Sequence, residues 1–438
     1  MVNVASIFST LGNPNSLIPL AIKDTTSTAG MTVGSYITGK EEGHDRFIDE
    51  VGTEIIWLGG IPFFKWLYDK TVFKTLGLDA KFDARNLKNQ NVLEKIKEYA
   101  PSEDVKKSIE KISKSQGTFK KAALAKFLVS TTLTVASYIG LTKFKQKYTD
   151  KKIRENLIAE YKSEQEAKKK EQQNDLQKNN ATSFKGLGAV MESLAFSPVK
   201  NMWVLDGSIT AERLKDSRSS QEFWGYAIKE ASILTFMYYA GGKIQELLEK
   251  QATKKHGKSI SLDARVLEDE ALKKAFENGS IEKCLKDFKA VGNNDVNLYE
   301  FLHKNPENMI VKTAKKSDII QMFKEPQGLF RKSKATDKID TRKYIDLEEV
   351  KSVCSKIEEL YGQYKEAIKN GEASDQFFEA VKKLKRKSIL TNIGTCILAL
   401  GVVTPAIMLA KRYSSKDDAE FETKKRIREQ LIKEGVIA

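Results

Sequence analysis

Apolar and polar positions alternate along this chain in blocks, and the block from Ser388 to Ala410, SILTNIGTCILALGVVTPAIMLA, carries no charge. A helix needs about 20 residues to cross a bilayer, and this block is long enough. Basic residues flank it, KKLKRK before and Lys411-Arg412 after. Its Pro405, Asn392, Gly and Thr residues are of kinds tolerated in membrane helices. A second block, Ala122 to Thr142, is weaker. Lys126 interrupts it and leaves a remainder at the short limit for a span, with a lysine side chain able to reach the membrane edge. Two further runs, 55–68 and 231–242, are too short to span alone. They reach the needed length only with Phe47–Val51 and Phe223–Ile228, which places Glu54, Lys229 and Glu230 inside apolar stretches. Otherwise they are re-entrant segments or interfacial helices rich in Trp, Tyr and Phe.

Elsewhere the period is helical. Leu347, Val350, Cys354, Ile357, Tyr361, Tyr364 and Ile368 fall at alternating spacings of three and four, the seam of a coiled coil. Asn370-Gly371 ends that helix. Another starts near Ser374 with Phe377, Val381 and Leu384 on one face and runs into the block at 388. The pair is expected either as a hairpin standing on a membrane helix or as an ordinary helix pair in a soluble core. Ser102-Glu103-Asp104 after Pro101 predicts a helix start with acids in its first turn. Period-two strand patterns are scarce, so the fold class expected is all-α.

The chain repeats itself. FSTLG (8–12), IKD (22–24), GSYIT (34–38) and FIDEVGTE (47–54) return in order as FKGLG (184–188), VKN (199–201), GSIT (207–210) and FWGYAIKE (223–230). Glu54 and Glu230 each precede an apolar run. FDARNLK (82–88) answers LDARVLE (262–268), 122–142 answers 388–410, and IRENLIAE (153–160) answers IREQLIKE (427–434). Order and spacing together predict a duplicated hydrophobic helical-hairpin unit, the kind of internal repeat that decides how a fold is read. The first copy is expected over 1–161, a charged linker over 162–183, and the second copy over 184–268 and 382–438, divided by a charged helical, coiled-coil-like insertion at 269–381. Two parallel copies keep one orientation only if each crosses an even number of times. Basic residues crowd both ends of 122–142 and of 388–410, so positive-inside counting does not assign a topology.

Composition adds a basic balance, net charge +15 from 74 Lys and Arg against 59 Asp and Glu. The charge is spread along the chain with no aromatic-interleaved basic platform, so nucleic acid is not an expected partner. The densest basic runs abut apolar stretches, which points to anionic lipid headgroups. Cys284, Cys354 and Cys396 show neither CxxC spacing nor an even count; disulfide and zinc frameworks are not expected. The start of the chain has no basic n-region, so no cleavable signal peptide is expected. The expected location is a membrane, integrally, which in a bacterium is the cytoplasmic membrane.

Candidate chemistry is sparse. Glu54 and Glu230 are read either as acids within a membrane or at an interface, binding a proton or cation, or as wet acids near a helix start. Asp83, Arg85, Asp263 and Arg265 are read as pairing between the copies, or as local caps with arginine facing water. Gly292–Phe301, GNNDVNLYEF, fails as a calcium loop: Val296 stands where Gly belongs and Glu300 follows Leu298 too soon. His44, His256 and His303 have no ligand spacing, and HExxH, P-loop, GxGxxG and GxSxG patterns are absent. No metal, cofactor or catalytic residue is expected. The expected role is a membrane-associated helical scaffold, tether or assembly protein without catalytic activity, with a protein partner for 269–381. The alternatives are a small transporter or channel component built from duplicated hairpins, with Glu54 and Glu230 at the copy interface, and a soluble helical interaction protein.

Overall fold

Local signals in the sequence set where the helices begin and end. The Ser102 hydroxyl accepts from the Val105 N–H at 3.3 Å, so a helix starts at Glu103. Gly371, at φ 85°, closes the helix that Asn370 caps. The structure, a computed structural model, describes residues 4–13, 16–165, 198–218, 220–325, 334–414 and 422–437. From residue 166 onward the expected linker lies outside these, as does FKGLG at 184–188. The chain is 82% helix and 2% strand, which places it among mostly helical, all-α proteins.

In chain order the helices are α1 (Val4–Gly12), α2 (Leu17–Thr38), α3 (Lys40–Tyr68), α4 (Gln90–Glu98), α5 (Glu103–Lys114), α6 (Gln116–Gln165), α7 (Pro198–Lys215), α8 (Ser220–Ile233), α9 (Gly241–His256), α10 (Glu270–Glu277), α11 (Ser280–Ala290), α12 (Asp295–Lys304), α13 (Met309–Lys316), α14 (Leu347–Lys369), α15 (Ser374–Leu398), α16 (Thr404–Ser414) and α17 (Glu422–Lys433). Segments of wider, π-helical geometry occupy Asp69–Phe73, Leu234–Ala240 and Ala399–Val403. Strands β1 (Met322–Glu325) and β2 (Lys334–Ile339) pair antiparallel, Met322 opposite Ile339.

The chain forms two compact units, each drawing on both halves of the sequence. Unit one comprises 1–19, 67–126 and 242–393. Its interior is apolar: Leu93, Ile96, Ile109, Ile112, Leu272, Phe276, Ile310, Val311, Ile357 and Phe377 are buried. The buried face of α14 is broader than the predicted seam. Val353 and Leu360 are buried alongside Val350, Cys354, Ile357, Tyr361 and Tyr364, while Ile368 is exposed. That width suits a globular core rather than a two-stranded coil. The Phe276 ring sits 5.0 Å from Tyr361 and 5.6 Å from Phe378. Within 269–381 the helices are accompanied by the short β1–β2 hairpin.

Unit two comprises 20–66, 127–241 and 394–438. Its helices bury charged and polar side chains beside apolar ones such as Trp57, Ile61 and Leu205, and leave many large apolar side chains exposed. In α6 the buried stripe is Ser130, Thr134, Tyr138, Thr142, Lys145 and Thr149, whereas Leu128, Val129, Leu133, Phe144 and Tyr148 are exposed. In α3 Asp45, Asp49 and Glu50 are buried, and Phe47, Ile55, Leu58, Phe63 and Trp66 are exposed. Leu398, Val402, Val403 and Ile407, on the uncharged block 388–410, are exposed as well. Small residues bring backbones together here: a Cβ on Gly30 of α2 would lie 2.2 Å from the Gly401 carbonyl oxygen. The segments at 153–160 and 427–434, alike in sequence, pack on each other through Ile153, Leu157, Ile427 and Leu431. Two helical stretches, 116–162 and 374–411, are long and apolar enough to cross a membrane, with 33% and 22% of their apolar windows buried.

Candidate functional site: a charged interior

The polar stripes of unit two converge on one cluster. Lys23, Asp45, Asp49, Glu50, Lys145, Asp206, Arg213, Lys229 and Glu230 are all less than a tenth exposed. Charges are rarely buried unless paired, because each loses its hydration. Pairing here is extensive. Arg213 on α7 reaches Asp49 at 3.3 Å and Glu230 on α8, donates to the Tyr138 hydroxyl at 2.7 Å and to Thr53 at 2.9 Å. Lys229 pairs with Glu50 and lies 3.6 Å from Glu230. Lys145 lies 3.5 Å from Asp49 and donates to the Tyr226 hydroxyl at 3.0 Å; that hydroxyl donates to Asp49 at 3.3 Å. Arg218 holds Asp45 and Glu222, each at 2.8 Å.

Beside these pairs is a cavity of about 20 Å³, room for one water molecule. Its polar walls are Asp24 and Thr28 of α2; Glu50, Thr53, Glu54 and Trp57 of α3; Asp206 and Arg213 of α7; and Lys229 and Glu230 of α8. Five carboxylates thus face two cations. Glu50 and Glu230 are paired, as above. Asp206 takes the Tyr238 hydroxyl, and Glu54 takes the Thr25 hydroxyl. Among the described residues no basic side chain pairs with Asp24, Glu54 or Asp206, and Asp24 makes no hydrogen bond. The π-helical turn at 234–240 supplies Tyr238 as well as the Phe236 carbonyl, which accepts from Lys23 at 3.3 Å. Such turns recur at functional sites because they re-aim side chains and free a carbonyl.

Glu54 and Glu230, singled out by their matched positions, therefore line one cavity. Asp24 and Asp206 were not singled out. The signal was present: Asp24-x3-Thr28-Ala29 and Asp206-x3-Thr210-Ala211 share one spacing, in a register different from the one that aligned IKD with VKN.

Asp83 and Asp263 both lie in unit one. Asp83 accepts from the Arg85 N–H and pairs with its guanidinium at 2.7 Å. Asp263 does the same with Arg265 at 3.3 Å, and Arg265 reaches Asp318 at 2.7 Å. The four do not pair with one another between 1–161 and 184–268: each aspartate holds its own arginine, and the second oxygen of Asp263 accepts from the Ser9 hydroxyl at 2.7 Å. A third instance, Asp340-Thr341-Arg342, has the same geometry, with a contact of 2.8 Å. Lys126, the interruption in the second apolar block, pairs with Asp69 at 2.6 Å and lies over the Phe73 ring. Among the described residues no group of His, Cys, Asp and Glu is arranged to hold a metal ion. Comparison with family models, with curated proteins and with solved structures gives no match.

Proposed function

We propose that the chain is an integral membrane protein in which unit two lies in the bilayer and its charged interior serves as a proton or cation pathway. The observation that carries this reading is the inversion of unit two, with charges inside and large apolar side chains outside. In water, exposed apolar area of this extent is costly and rare on a monomer; in lipid it costs nothing, and polar groups are driven inward. The exposed apolar stretches have a fitting height. Phe47 to Trp66 on α3 and Leu128 to Tyr148 on α6 each cover about 30 Å at 1.5 Å per residue, the thickness of the hydrocarbon core.

Duplication supports the same reading, since transporter folds are commonly built from repeats with the site where the repeats meet. The cavity draws Asp24 and Glu54 from the stretch read as the first copy, 1–161, and Asp206 and Glu230 from the stretch read as the second, 184–268. Unit one, with its apolar core and charged surface, supports the scaffold or tether reading for 269–381, as a soluble module offered to a protein partner.

Two steps test the proposal. Membranes containing the full chain are washed with alkaline carbonate; the protein is expected to stay in the pellet until detergent releases it. Purified protein in liposomes is then expected to carry a proton or cation flux that the double substitution Glu54→Gln, Glu230→Gln abolishes. Release by carbonate, or parent liposomes without flux, would count against it.

A further inference from the structure

The cavity holds more acid than its cations neutralise, and the question is what makes up the difference. Asp206 is 8% exposed and accepts from the Tyr238 hydroxyl, with the Trp57 indole N–H beside it and no cation paired to it; Asp24 has no hydrogen-bonding partner among the described residues. Leaving Asp206 ionised away from water would cost several kcal/mol, and half-buried Asp24 faces the like charges of Glu50, Glu54 and Glu230. A metal ion would need several oxygens gathered at bonding distance, and the described acids are not so gathered. The cavity also offers a donor. Trp57 is 2% exposed and lines it, and its indole N–H, beside Asp206, completes no hydrogen bond. An indole N–H can only donate, so it suits a water oxygen in the one-molecule space between α2, α3 and α7.

We propose that Asp24 and Asp206 hold an exchangeable proton, shared through a water that Trp57 anchors, and that the proton rather than a metal cation is the species this site binds. The inference rests on the reading of unit two as membrane-embedded. Loading forms one O–H bond on a carboxylate oxygen as one O–H bond of an incoming hydronium breaks; nothing is oxidised or reduced. The groups facing Asp24 are Glu50 and Glu54 from α3 and Lys229 and Glu230 from α8. Those facing Asp206 are Tyr238, Asp24, Glu230 and Trp57. Lys229 is already engaged by Glu50 and Glu230, which leaves the aspartates to be neutralised by protonation.

Dicyclohexylcarbodiimide tests this directly, because it adds to protonated carboxyl groups in apolar surroundings and leaves carboxylates alone. The full chain in phosphatidylcholine–phosphatidylglycerol vesicles is treated at neutral pH and mapped by peptide mass spectrometry. The expected adduct is on Asp24 or Asp206 and not on Glu50 or Glu230. Its yield is expected to fall several-fold as pH rises and to be unchanged by sodium or calcium. The infrared carbonyl band of protonated carboxyl groups, followed with pH in the unmodified protein, is expected to lose intensity over the same range, and Asp206→Asn to remove part of it. An adduct suppressed by sodium or calcium would overturn the proposal in favour of a cation site. No adduct on either aspartate together with no titrating band would overturn it outright. Either failure in protein that resists carbonate leaves the membrane reading standing, so the two can fail separately.

Discussion

Unit one and unit two are built from the same helices-and-turns vocabulary and solve burial in opposite ways. Unit one hides Phe276, Phe377 and Ile357 and buries few charges, Asp340, Arg342 and Lys385 among them. Unit two hides Asp49, Lys145 and Arg213 and shows Leu133, Trp66 and Val402. An amphipathic helix fixes which residues share a face but not which face meets the surroundings. The contrast within one chain is the ground on which the membrane reading of unit two is proposed.

The comparison breaks or sharpens under substitution. The largest effect is expected for Arg213→Leu, which strands Asp49 and Glu230 without their guanidinium. Removing one partner of a buried pair costs about 3–5 kcal/mol, read as a lower unfolding temperature of the detergent-solubilised protein. A loss under about 1 kcal/mol would mean the cluster is hydrated and the interior of unit two is not dry. Next comes a matched pair. Leu133 of unit two and Ile368 of unit one are each 40% exposed. Leu133→Arg is expected to cost about 3 kcal/mol of membrane insertion, seen as loss of carbonate-resistant protein, while Ile368→Arg is expected within about 0.5 kcal/mol of the parent. Equal tolerance of the two arginines would show that both surfaces face water.

The smallest effect concerns His303 of unit one, stacked 4.5 Å from Tyr99, with a buried Nε2 that makes no hydrogen bond among the described residues. Burial, helped by the Lys315 charge, lowers its pKa from 6.5 to about 4. Because the folded value is depressed, the unfolded chain takes up the proton first. The stability is complete above pH 6.5 and lost as pH falls towards 4. The loss is expected at about 2 kcal/mol after allowing for solvent at a half-buried ring, followed by circular dichroism against temperature. His303→Phe should flatten the profile; an unchanged profile would assign the acid sensitivity elsewhere.

Much of this was legible in the residues. Ser102 and Asn370-Gly371 marked helix ends because caps are local chemistry, and Asp83 and Asp263 behave as caps for the same reason. Glu54 and Glu230 stood out by position before an apolar run. The polar stripe of α6 was passed over because Ser, Thr and Tyr at every third or fourth place look like an ordinary wet face. Only the tertiary packing reveals that Thr134 and Tyr138 point inward. The compact units were illegible for another reason: each is assembled from segments far apart in sequence, and periodicity carries no information on long-range pairing. The β1–β2 hairpin is short and charged, with little alternation to betray it.

The ion pairs of unit two also impose an order on synthesis. Glu50 and Lys229 are separated by 179 positions. At a translation rate of roughly 5–20 residues per second, the acids of α3 leave the ribosome about 10–40 s before their cations exist. During that interval Asp49 and Glu50 must remain in contact with water or be protonated. The first half of the chain cannot settle into its final state by itself; the newborn protein has to wait for its second half.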